Sequence, residues 1–126
     1  MDIGRFKNNT EYYEGYEEEP ELILTLKGLE SNTLHIWEGY FDDIFSDPQK
    51  SNDIWFGFTR DYQECTGAWG DTAFAEIKCP KEYLEDIQSY EEHNFEYEES
   101  EGVKELIMQF LQFAVTNKYT VMMYIK

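Results

Sequence analysis

The chain changes its hydrophobic period twice, and those changes divide it into elements. Residues 1–20 are polar and rich in Tyr and Glu, closing on Glu17-Glu18-Glu19-Pro20. This stretch is expected as a loosely attached acidic arm or an edge element. From Glu21 to Leu29 (ELILTLKGL) the pattern alternates. Leu22, Leu24 and Leu26 fall on one side, and Glu21, Ile23, Thr25 and Lys27 on the other. That is a period-2 strand with one apolar face. Glu30-Ser31-Asn32 reads as a turn, and Thr33 to Phe41 (TLHIWEGYF) as the returning strand of a hairpin. Asp42 to Asp53 (DDIFSDPQKSND), with its Pro, Ser and Asp, reads as a loop. The aromatics of Asp53 to Thr59 (DIWFGFT) predict a third strand. Gly67 to Asp71 (GAWGD) predicts a turn, and Thr72 to Lys78 (TAFAEIK) a fourth strand.

The period then becomes helical. Pro80 suits a first helical residue, where its missing N–H costs nothing. Tyr83, Leu84, Ile87 and Tyr90 follow at the spacing of one helix face. Ser100 is the expected N-cap of a longer helix, with Glu101 at the positive end of its dipole. Val103, Leu106, Ile107, Phe110, Leu111 and Ala114 carry that helix to a stop at Asn117-Lys118. Tyr119 to Ile125 (YTVMMYI) returns to a strand, apolar enough to need neighbours on both sides. The order β-β-β-β-α-α-β predicts an α+β fold: one domain over residues 1–126, with a mainly antiparallel sheet of about five strands. The long C-terminal amphipathic helix lies on one face, with the shorter helix packed on it.

Composition changes this picture in one respect. Among 126 residues, 27 Asp and Glu oppose 10 Lys and Arg, a formal charge of −17. Such a charge repels phosphate backbones and anionic bilayers, so direct nucleic-acid or membrane binding is not expected. Aromatic residues at 17% argue against a disordered acidic chain. No stretch approaches the roughly 20 apolar residues of a membrane span, and no leader pattern opens the chain. A cytoplasmic location is expected, with Cys65 and Cys79 as free thiols.

Candidate catalytic chemistry is thin. His35 sits in a strand pattern and His93 in an acidic segment, neither at a spacing tied to nucleophilic catalysis. No phosphate-loop, dinucleotide, zincin or nucleophile-elbow motif occurs. The Asp-rich loop lacks the calcium-loop pattern, and the cysteines lack zinc-finger spacing. No metal, cofactor, small-molecule ligand or enzymatic activity is expected.

The charge itself is clustered. Residues 82–105 hold ten acids against Lys104 alone, and residues 1–20 hold six against Arg5 and Lys7. Acids alternate with aromatics at Trp37, Tyr40, Asp42 and Asp43, at Trp69 and Asp71, and at Glu91, Glu92, Glu96, Tyr97, Glu98 and Glu99. Solubility alone asks for a net charge of about 2 to 8 in a small domain. The excess points to a basic partner, with aromatics as anchors and carboxylates reaching Arg and Lys. These twelve residues are the candidate partner-binding set.

The stretches TLHIWEGYFDDIFSD, GAWGDTAFAEIKCP and VKELIMQFLQFAVTNKYTVMMYI carry a resemblance of type. With the small size, the acidity and the closing helix-then-strand, the chain resembles the immunity proteins of bacterial polymorphic-toxin and contact-dependent growth inhibition systems. The resemblance covers roughly half the chain and assigns no residue a role. It implies that the chain binds and neutralises a cognate toxin domain, often a nuclease; the clustered acids and aromatics add the expectation of a basic partner, held 1:1, whose active site is covered. Two other functions fit the same acids: a DNA mimic that inhibits a DNA-binding or host-defence protein, and a small enzyme using His35 or His93.

Overall fold

The computed structural model describes residues 6–45, 57–64, 74–90 and 95–125. Its elements are β1 (Asn9–Tyr12), β2 (Glu21–Leu26), β3 (Leu29–Trp37), α1 (Glu38–Phe45), α2 (Gly57–Glu64), β4 (Phe74–Ile77), α3 (Pro80–Gln88), α4 (Glu99–Asn117) and β5 (Val121–Ile125). The fold is α+β. One five-stranded sheet runs in the order β1-β3-β2-β5-β4, antiparallel except where β1 pairs in parallel with β3.

The alternation of β2 does what its pattern requires. Leu22, Leu24 and Leu26 are fully buried, with Leu34 and Ile36 of β3 and Val121 and Met123 of β5 in the same core. The periodic face of α4, from Val103 to Ala114, closes that core from the other side together with Tyr83, Leu84 and Ile87 of α3. Strand β5 lies inside the sheet between β2 and β4, as its apolar sequence demands. Lys118 ends α4 in the left-handed region at φ +60°. Among the described residues, no helix is long and apolar enough to cross a membrane.

Four sequence expectations are corrected. The hairpin turn falls at Lys27-Gly28, not Glu30-Ser31-Asn32, because Gly28 supplies a φ of +87° and lets Leu26 pair with Leu29. The Gly28 N–H donates to the Glu30 carboxylate at 2.6 Å, which holds the turn from inside β3. The returning strand ends at Trp37, and Glu38 to Phe45 form α1 where strand and loop were expected. Tyr40, Phe41, Ile44 and Phe45 of α1 are buried at helical spacing, so core burial selects the helix.

Gly57 to Glu64 are likewise helix, not the end of a third strand. Gly57 opens α2 at φ +60°, and Asp86 of α3 holds its first turn. Finally, α4 begins two residues early, at Glu99 rather than Glu101. Ser100 lies buried within its first turn, and the residue at the cap position is Glu98, which makes no side-chain cap. The remainder of the expected third strand and the turn at 67–71 lie outside the described residues.

Residues 6–20 are built into the body. Phe6 is fully buried with its ring 5.4 Å from that of Phe110, and Asn9–Tyr12 form one of the two edge strands of the described sheet.

Candidate functional site

The junction between β3 and α1 assembles most of the candidate set. Trp37 is the last residue of β3 and Tyr40 lies in the first turn of α1, so both project from one corner. Their rings meet at 5.1 Å, nearly perpendicular. Tyr97 approaches both from the turn before α4, at 5.4 Å from Trp37 and 5.8 Å from Tyr40. Perpendicular contacts of this kind place the positive edge of one ring on the negative face of another.

Residues 13–20 close the corner. The Tyr13 hydroxyl lies 3.0 Å from the Glu17 carbonyl and 2.9 Å from that of Glu19, which holds the loop in a tight curve. Tyr16 then stacks flat on Trp37 at 4.1 Å, and the Trp37 indole N–H donates to the Glu19 carboxylate at 3.3 Å. Tyr12 completes the group, 6.2 Å from Tyr40. Tyr40 is buried beneath the others, while Tyr12, Tyr16, Trp37 and Tyr97 remain half-buried.

Asp43 fastens α4 to this corner. Its carboxylate accepts the backbone N–H groups of Glu96 and Tyr97, each at 2.9 Å, and the Ser100 hydroxyl at 2.7 Å. The donors around the start of α4 are thus satisfied from α1 rather than by a local cap. A shallow cavity of about 290 Å³ remains between the two helices, lined by Trp37, Gly39, Asp42, Asp43, Glu96 and Tyr97.

The electrostatics are uniformly negative. Burial holds the Glu38 carboxyl above the usual range, and the Asp42 charge adds to the effect. Burial likewise pushes the Tyr40 phenol up, helped by the hydrogen bond it donates to Tyr16 and by the Glu99 charge. Tyr97 is raised by desolvation, then by Glu96 and Asp43. Glu17, Glu18, Glu19, Glu96, Glu98 and Glu99 are all exposed.

Of the twelve candidate residues, the structure thus brings Trp37, Tyr40, Asp42, Asp43, Glu96 and Tyr97 to one corner, with Glu98 and Glu99 exposed at the start of α4. Trp69, Asp71, Glu91 and Glu92 lie outside the described residues. Two of the twelve have inward roles: Tyr40 is 5% exposed and the Asp43 carboxylate is engaged in three internal hydrogen bonds. Sequence reasoning missed Tyr12, Tyr16 and Glu19. The signal was present, since residues 11–19 repeat the same mixture of Tyr and Glu.

The other candidate chemistry is dispersed. His35 meets Glu21 across the strands, Nδ1 to Oε2 at 3.1 Å, and His93 lies outside the described residues. Among the described residues, no group of three or more His, Cys, Asp or Glu side chains is placed to hold a metal. Cys79 is a free, exposed thiol, and Cys65 lies outside the described residues. The corner formed by Trp37, Tyr16 and Tyr97 is therefore the strongest candidate site. Comparison of the chain with protein-family models, curated proteins and solved structures finds no match among any of them.

Proposed function

We propose that the chain is an immunity protein that binds a cognate basic toxin domain in the cytoplasm through the aromatic corner at the start of α1. The observation that supports this reading is convergence. Acids and aromatics from three separate stretches, 12–19, 37–43 and 96–99, meet on one surface of a chain carrying −17. A face of this kind is suited to a cationic cleft. The acid rim draws the partner in, with association rates rising toward about 10⁸ M⁻¹s⁻¹ and falling with salt. Tyr16, Trp37 and Tyr97 supply rigid, half-buried rings that bury area at low entropic cost. Glu19, Asp42 and Glu96 then stand where a nuclease holds substrate phosphates, and the cleft is closed to nucleic acid. No catalysis by the chain itself is involved.

The test uses the toxin domain encoded beside this chain. Mixing the two is expected to give a 1:1 complex, loss of the toxin's activity, and affinity that falls steeply as salt rises. A neighbouring toxin that neither binds nor is inhibited overturns the reading.

A further inference from the structure

The opposite end of α4 carries the reverse charge. With 19 residues at 1.5 Å each, α4 is about 28 Å long, which separates its last turn from the aromatic corner. A cavity of about 270 Å³ opens there, between the last turn of α4 and the first turn of α3. Lys78, Lys81 and Lys118 line it, with Cys79, Tyr119 and Thr120. No carboxylate lines it among the described residues, in a chain with 27 of them.

The other described cations mostly have partners. Lys27 pairs with Glu76 at 3.4 Å, Arg60 reaches Glu82 at 3.8 Å and Tyr83 at 3.2 Å, and Lys104 donates to the Tyr90 carbonyl. None of the three lysines at this cavity pairs with a carboxylate among the described residues. Three like charges held in one concavity repel each other, and a multivalent anion relieves that repulsion. A single carboxylate leaves two charges over, whereas a phosphate monoester brings about two negative charges and three acceptor oxygens. The floor between the lysines is largely apolar, with the Tyr119 ring stacked on Phe113 at 6.0 Å. Such a floor suits the flat body of an organic phosphate.

We infer that the lysine cavity between α3 and α4 is a binding site for a phosphorylated small molecule, distinct from the protein-binding corner. The inference is independent of the toxin reading, because it concerns the isolated chain.

Cys79 provides a local reporter. The full chain is alkylated with iodoacetamide, and the peptide holding Cys79 is followed by mass, with AMP, inorganic phosphate or sodium chloride of equal ionic strength present. AMP is expected to slow alkylation saturably, by about tenfold, and chloride is not. Equal protection by inorganic phosphate supports a site that reads the oxyanion alone. Stronger protection by AMP supports use of the apolar floor. In the triple variant Lys78→Gln, Lys81→Gln, Lys118→Asn the protection is expected to vanish; Asn keeps the left-handed position 118 accessible. Lys7→Gln, a charge removed beside Asn32 at the β1–β3 side of the sheet, is expected to leave it intact. Protection no greater than that by chloride, or protection that survives in the triple variant, overturns the inference.

Discussion

The indole of Trp37 lies directly over Gly39, so close that a Cβ there would fall 2.3 Å from the ring. Glycine at this position is therefore what lets the ring fold back over α1 between Tyr16 and Tyr40. Gly39→Ala is expected to expel Trp37 from the corner. The chain should remain folded, since Ala favours the helix by about 1 kcal/mol over Gly. Near-ultraviolet circular dichroism should lose its Tyr–Trp signal, and affinity for the basic partner should fall about tenfold or more. Unchanged spectra and affinity would show that the corner does not depend on this contact.

Asp43 separates architecture from recognition. Asp43→Ala removes the acceptor for two backbone donors and the Ser100 hydroxyl, so unfolding in urea should show a loss of about 2 kcal/mol. Asp43→Asn keeps one acceptor oxygen and should lose about half as much. Asp42→Asn removes a neighbouring charge without touching these bonds, and should lower partner affinity more than stability. Equal stability losses at both positions would contradict this division.

A second aspartate holds a second helix start. Asp86 is fully buried and accepts the Thr59 N–H at 2.7 Å and the Thr59 hydroxyl at 2.8 Å. With its proton committed to the carboxylate, Thr59 must accept at 2.5 Å from the Tyr90 hydroxyl. Asp86→Ala strands these buried groups, and a loss of about 3 kcal/mol is expected in denaturant unfolding. Thr59→Val should cost less, because it removes the hydroxyl from both the buried carboxylate and the phenol but keeps the residue-59 N–H on Asp86. A combined variant that loses far less than the sum of the two would be the signature of one shared network.

Alkali should find the aromatic corner. Tyr13, Tyr40 and Tyr97 all have phenols held above the ordinary value of 10.0. A group raised in the fold stabilises it fully below the unfolded pKa and withdraws that support as pH climbs through the folded value. Stability should therefore hold up to about pH 10 and fall above it. Absorbance titration of tyrosinate should show a late class that is smaller in Tyr40→Phe. A single class titrating near the ordinary value would count against the buried, acid-flanked arrangement.

The elements that the sequence made legible are those whose boundaries it marks itself. Strand β2 shows clean alternation, Pro80 announces α3, and Lys118 ends the long apolar stripe of α4. Helices α1 and α2 are only eight residues each, and their first turns are held from distant parts of the chain. The Glu38 N–H bonds to the Pro20 carbonyl, and the Thr59 N–H to Asp86, 27 residues away. Information of that kind is tertiary, and local pattern cannot carry it. The candidate site divides the same way. Trp37, Asp42 and Tyr97 are visible as acid–aromatic mixtures, but the Asp43–Tyr97 bond that joins their two segments is not. Tyr16 and Glu19 were hidden for a related reason: a stretch with no apolar period looks detached until its Tyr13 hydroxyl is seen closing it.

The pairing of Leu24 with Met123 also has a kinetic consequence. The β2–β3 hairpin can form locally around Gly28, but among the described strands β4 pairs with β5 alone, and β5 must also reach β2 from far along the chain. Closing that long loop precedes any return from the sheet core, so topology alone should make folding slow for a chain of this size. Until it closes, Leu22, Leu24 and Leu26 have neither β5 beside them nor the packed core above them. The high negative charge then acts on the unfinished chain as well as on the finished one, keeping exposed strands of neighbouring molecules apart while the last strand finds its place.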